Sequence, residues 1–145
     1  MSLKADATLN DERESYHITG APIVAKPKEY TPRPLVYVAG PLTTGDPFLN
    51  VRNAVMWAEV LWHAGYDALV PHLGAFWHMH YHHTYEEWMR LDFNYLLRCD
   101  ALYRLPGESP GSDREVAFAK ERGIPVFEDM DTLVKEFPFN KACCK

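Results

Sequence analysis

The sequence is poor in the features that would place a protein outside the cell, in a membrane or on a nucleic acid. It has three cysteines, Cys99, Cys143 and Cys144. An odd number with two adjacent builds neither a disulfide framework nor a zinc spacing, and it fits a reducing cytosol. No run of apolar residues approaches the roughly 20 needed to span a bilayer, and the N-terminal stretch carries charges where a signal peptide needs an apolar core. A cytoplasmic protein with no membrane partner is expected. The net charge is -5, with acids and bases interspersed. No basic stripe is available to neutralise a phosphate backbone, which argues against a nucleic acid polymer as partner. Two nucleotide motifs are also missing. The run Gly40-Pro41-Leu42-Thr43-Thr44-Gly45 lacks the middle glycine that lets a dinucleotide pyrophosphate approach, and there is no Walker loop. NAD binding is disfavoured, P-loop ATP hydrolysis is excluded, and no cofactor is expected.

What remains is enough for one domain, since 145 residues support a single hydrophobic core. Residues 1–34 hold Pro22, Pro27, Pro32 and Pro34 among polar neighbours without periodicity, and read as an extended or disordered arm. The domain is expected over residues 35–137, with a C-terminal tail over 138–145.

Within the domain, strand and helix patterns alternate. Residues 35–39 form a short β-forming apolar run ended by Gly40 and Pro41. Residues 51–63 repeat apolar side chains at helical spacing, with Asn50 as the expected cap and Gly65 as the stop. A second strand is expected over 67–71. Residues 73–83, rich in aromatics and histidine, have no clean period and suggest a loop or irregular helix. Thr84 and Glu87 have capping-box spacing, and one apolar face continues to about Arg98. A third strand is expected at 101–105, a helix at 113–122 stopped by Gly123, a fourth strand at 124–127, and a last helix capped by Asp131. This order predicts an α/β fold, a Rossmann-like or flavodoxin-like three-layer sandwich on a four- to five-stranded parallel sheet.

In such sheets ligands sit outside the carboxyl ends of the strands, where residues 40–45, 71–83 and 106–115 should converge. The turn holding Ser109, Gly111 and Ser112 brings backbone N–H groups and hydroxyls to a helix N-terminus and suits a phosphate. The alternative is a well-capped helix in which Glu115 reaches back to Ser112. Asp92 lies mid-helix, where a solvated face is the commoner fate. Turned inward, it would pair with Glu115 as two carboxylates suited to glycosidic chemistry. Tyr37, buried in the first strand, needs a partner for its hydroxyl. His72, His78, His80, His82 and His83 raise a metal-dependent alternative, but no established ligand spacing accompanies them, and an aromatic lid explains the segment equally well. No metal site is assigned. Cys99 reads as an inert core residue.

Together these residues resemble the nucleoside 2-deoxyribosyltransferase-like superfamily, including its deoxynucleoside 5′-monophosphate N-hydrolase branch. The resemblance is carried by Val36-Tyr37-Val38-Ala39-Gly40-Pro41, by Asp92 with Leu96 and Cys99-Asp100-Ala101, and by Ser109-Pro110-Gly111 leading to Glu115. It implies that Glu115 is a nucleophile attacking the anomeric carbon, that Tyr37 orients it, and that Asp92 contacts the sugar and assists departure of the base. It also implies that Ser109 holds a 5′-phosphate, while Gly40, Pro41, Gly111, Ser112 and His72, in the loops at the strand ends, are the further candidates to line the substrate site. The ligand would be a small nucleotide or nucleoside, and the assembly a homodimer or larger homo-oligomer with Trp57 and Trp62 as candidate anchors. Two features depart from the pattern: charged Asp113 and Arg114 stand directly before Glu115, and the histidine-rich segment is inserted. The rival of another class is a non-catalytic nucleotide-binding or sensing module.

Overall fold

The computed structural model describes residues 32–138. Residues 1–31 of the expected arm and 139–145 of the expected tail lie outside this range.

β1 (Leu35–Ala39) is fully buried from Val36 onward, as an apolar run with helices on both sides must be. It pairs in parallel with β2 (Asp67–Leu69) on one side and with β3 (Ala101–Arg104) on the other, and β3 in turn pairs with β4 (Val126–Phe127). The result is an all-parallel sheet of four strands in the order β2-β1-β3-β4. This is the start of the flavodoxin-like order, whose switch point lies between β1 and β3.

Side-chain alternation along the strands divides the core in two. Val36, Val38 and Tyr103 face α1 (Pro47–His63) and α5 (Met130–Glu136), where Ala54, Leu61 and Leu133 complete the cluster. Tyr37, Ala39 and Leu102 face α3 (Tyr85–Leu96) and α4 (Pro110–Glu121), meeting Leu96 and Ala119. The described residues therefore form a three-layer α/β/α sandwich on a four-stranded parallel sheet, as the sequence pattern predicts. A buried leucine or valine stabilises such a layer by about 1.5–3 kcal/mol, so Leu61 and Leu133 hold α1 and α5 far more firmly than their intrinsic helix propensities do.

Several boundaries differ from expectation, each for a capping reason. α1 begins at Pro47 because Asp46 Oδ1 accepts from Phe48 N at 2.9 Å and Leu49 N at 3.3 Å, and proline suits the first helical position. Asn50 does not cap this helix. Its Nδ2 instead donates to the carbonyls of Leu42 and Thr44 at 3.0 and 2.7 Å, folding the loop after β1 onto the helix. α4 likewise starts at Pro110 behind Ser109, so Ser112 sits inside the helix. Asp129, not Asp131, caps α5 by accepting from Thr132 N at 2.7 Å. β2 ends before Pro71, which opens a 3-10 turn (Pro71–Leu73) leading directly into α2 (Gly74–His80). The segment without a clean period is thus helical, and its irregular pattern reflects packing against a neighbouring helix instead of the main core. The Thr84–Glu87 capping box forms as expected at the start of α3.

Candidate active site

Three helix-borne or strand-borne groups meet under α3 and α4. Tyr37 is the inward residue of β1 on this face and is fully buried. Its hydroxyl donates to Glu115 Oε1 at 2.7 Å across 78 residues of sequence. Glu115 is 5% exposed, so its carboxyl lies beneath the surface. Asp92, on α3, is half-buried and close enough for its charge to act on both Tyr37 and Glu115.

Burial pushes the Glu115 carboxyl up to about 8, and the Asp92 charge adds to the rise. The Tyr37 hydrogen bond, the Arg104 charge and the Ser112 hydroxyl pull the other way. Burial raises Asp92 to about 6. The Tyr37 phenol is held well above its usual range by burial first and the two carboxylates second. These are the expected consequences of taking ionisable groups out of water and then setting like charges together. Because the groups interact, the two titrations belong to the pair: between about 6 and about 8 it carries one proton, mainly on Glu115.

Glu115 is not a cap for its own helix. Ser109 fills that role, accepting from Ser112 N at 3.2 Å and donating to Ser112 Oγ at 3.0 Å. The reach of Glu115 back to the Ser112 N–H is overturned because the serine three residues earlier already holds that amide. In the first turn Pro110 has no N–H, and Asp113 N donates to the Ser109 carbonyl at 3.0 Å. An anion at this helix start would therefore meet the Gly111 N–H, or displace the serine cap.

His72 is brought to the end of β1. Its Nε2 faces the carbonyls of Gly40 at 3.2 Å and Pro41 at 3.1 Å, so that nitrogen carries the proton. Burial lowers its pKa, keeping the ring neutral, and Nδ1 is buried without a partner. No hydrogen bond joins His72 to Tyr37, Asp92 or Glu115. The loops after β1 and β3 touch above the sheet, since Gly107 (φ +113°) lies so close that a Cβ there would meet Pro41 Cγ at 2.9 Å.

The charged residues before Glu115 turn outward into pairs. Arg114 makes a bidentate contact with Glu86 of α3, at 2.9 and 3.1 Å, and its guanidinium lies 5.4 Å from the Tyr85 ring centroid. Asp113 accepts from Arg104 at 3.1 Å. Arg104 also donates to the carbonyls of Leu105 and Gly107 and so braces the loop after β3. Sequence reading passed over Arg104, although a cation ending an otherwise apolar strand run was the available signal.

The histidine-rich segment forms an aromatic clasp. Trp77 and Trp88 meet edge to face at 5.4 Å, His83 packs edge to face on Trp88 at the same distance, and Trp88 Nε1 donates to His78 Nδ1 at 2.9 Å. Among the described residues no three ligand-type side chains converge as a metal site would require. Cys99 is buried, donates to the Tyr95 carbonyl, and has its thiol pushed up to about 12 by burial, as befits an inert core residue. No helix among the described residues is long and apolar enough to cross a membrane.

Fold and site define a parallel α/β domain with a tyrosine-braced carboxylate pair beside its switch point. The chain belongs to the family described as a domain of unknown function, DUF4406, whose family model matches residues 34–128. Comparison with curated proteins gave no match. A solved structure described as a 2-desoxiribosyltransferase from Leishmania mexicana is similar with a TM-score of 0.49 and 14% identity, over 77% of this chain and 86% of that one.

Proposed function

We propose that the domain cleaves or transfers the N-glycosidic bond of a (deoxy)nucleoside 5′-monophosphate, with Glu115 as nucleophile. The observation that carries this reading is the buried Tyr37–Glu115 hydrogen bond beside Asp92. A carboxylate fixed by a tyrosine and paired with a second carboxyl has the composition that retaining glycosidic chemistry requires. The superfamily resemblance of these same positions supports it.

In the first step the shared proton shifts from Glu115 to Asp92, and the ionised Glu115 Oε attacks C1′ of the sugar. The C1′–N bond breaks with its electron pair on the base, and a proton from the pair passes to the base through Asp92. In the second step water, or a second base, attacks C1′, the bond to Glu115 breaks, and the proton released by the attacking group returns to the pair. One proton shared by two carboxyls near neutral pH is the stoichiometry these steps consume and restore. Ser109, Gly111 and Ser112 are the candidates for the 5′-phosphate, and Gly40, Pro41 and His72 for the wall beyond β1.

The test is incubation of the protein with each deoxynucleoside 5′-monophosphate and chromatographic detection of free base. Base release that falls by about a thousandfold or more in Glu115→Gln is the expected result. Silence with every base, or an undiminished variant, sinks the proposal. Thermal stabilisation by nucleotides without base release would favour a sensing module instead.

A further inference from the structure

The outer face of α1 is more apolar than a helix surface turned to water needs to be. Ala54 and Leu61 point into the core, and Trp57 packs its ring 5.3 Å from that of Tyr103, so one side of the helix accounts for its docking on the sheet. On the other side Leu49, Met56 and Trp62 remain 59%, 52% and 54% exposed, and Val55 is open as well. Trp62 keeps this exposure although the Arg33 guanidinium already lies 5.0 Å from its ring centroid. Single apolar side chains scattered over a surface need no explanation, but a row of them along one helix marks an interaction surface.

Two charges complete the row. Leu49, Arg52, Met56 and Glu59 follow one another at steps of three and four residues, as do Arg52, Val55, Glu59 and Trp62, which is the spacing of a seam that one helix presents to another. Arg52 is exposed and makes no ion pair or hydrogen bond among the described residues. Glu59 meets only His63 of its own helix, at 3.9 Å, an ion pair only when the imidazole is protonated. A cation and an anion therefore sit symmetrically about the middle of the row, Arg52 as far before Val55 as Glu59 lies after Met56.

We infer that α1 is a self-association face, on which the α1 of a second copy of this chain lies antiparallel across a two-fold axis passing between Val55 and Met56. A two-fold contact joins the same patch to itself, so a residue on one side of the axis meets the residue equally far beyond it. Antiparallel packing then sets Val55 against Met56 of the second copy, Leu49 against Trp62, and Arg52 against Glu59, each pairing formed twice. Parallel packing sets Arg52 against Arg52 and Glu59 against Glu59 and is repelled. The order of charges is complementary to itself, a property that an unrelated partner does not require. At 1.5 Å per residue α1 is about 25 Å long, so one helix pair gives a modest contact and association in the micromolar range. The inference uses none of Tyr37, Asp92 or Glu115 and is independent of the glycosidic reading.

Sedimentation velocity of the full chain tests it, at concentrations from about 1 to about 300 µM, which bracket that range. The parent is expected to pass from monomer to dimer. Arg52→Glu and Glu59→Arg each put like charges opposite one another across the axis, and each should weaken the dimer about tenfold or more. An equimolar mixture of these two variants matches the charges again and should recover the parental dimer, as should the double variant Arg52→Glu/Glu59→Arg. Both positions are exposed, so the melting temperature of the dilute monomer should not change. A parent that stays monomeric throughout, a dimer indifferent to both charge reversals, or a mixture no tighter than either variant alone overturns the inference. Should a charge-reversed chain fail to fold, Met56→Glu decides: loss of the dimer supports the α1 contact, and an undiminished dimer overturns it.

Discussion

Asp92 gives up its proton at lower pH than Glu115 does, and once ionised it helps Glu115 keep its own. The active form of the pair is then the singly protonated one, reacting through its tautomer with the proton on Asp92 and Glu115 ionised. Base release should show a bell-shaped dependence of kcat/KM on pH, rising through about 6 as the first proton leaves and falling through about 8 as the second does. Initial rates at low substrate between pH 4.5 and 10 would check it. A profile flat across this range would mean that neither carboxyl takes part.

The neighbours of Glu115 push its titration in opposite directions, so two variants should separate. Tyr37→Phe removes a hydrogen bond that favours the ionised carboxylate, and the alkaline limb should move upward. Asp92→Asn removes a repelling charge, and the Glu115 titration should move downward. Carbon-13 titration of the glutamate carboxyls reads both shifts without relying on turnover. Tyr37→Phe should also cost about 1–3 kcal/mol of stability, because a buried carboxyl loses its donor.

Stability should fall with pH for the same reason. Glu115 has an ordinary value of 4.5 and is raised to about 8 by folding, so between those pH values the native state binds more protons than the unfolded chain. Its contribution is complete below about 4.5 and is lost as pH rises through about 8. The isosteric Glu115→Gln variant lacks this dependence, and the slope it removes is about 1.4 kcal/mol per pH unit at most. Urea unfolding at pH 6 and pH 9 should show the parent losing stability that the variant keeps.

The sequence made the layers legible because buried parallel strands and capped helices leave local signals, as in residues 35–39 and in the Thr84–Glu87 pair. Helix starts were misread at Asn50, Ser112 and Asp131 because each has a competing cap three or two residues away or a little further, and only the chain's path chooses between them. Of the candidate site, the meeting of Tyr37 with Glu115 near Asp92 was expected from the family resemblance, whereas helical spacing alone left Asp92 more often in solvent and Glu115 as readily a helix cap. Arg104 was not read as functional, because its partners Leu105, Gly107 and Asp113 are set by the path of the loop after β3.

Gly107 should tolerate no side chain. Its φ of +113° and the 2.9 Å approach of a Cβ to Pro41 Cγ combine a strained backbone with a clash. Gly107→Ala is expected to destabilise the domain by about 1–3 kcal/mol, measured by denaturant unfolding. Gly45, which has positive φ but open space around it, provides the control with backbone strain alone.

The clasp should report on α2 alone. His78→Leu removes the acceptor of the Trp88 indole N–H and should cost about 1 kcal/mol. Hydrogen exchange is expected to quicken across residues 74–83 while the strands keep their protection. Equal loosening everywhere would show that the clasp supports the main core.

The outer strands of the sheet, β2 and β4, are three and two residues long. An extended foreign segment laid alongside either would find few rungs to join, which guards the protein against fibrous growth. Among the described residues the larger exposed apolar side chains lie instead on the helices, at Phe48, Met56 and Phe76.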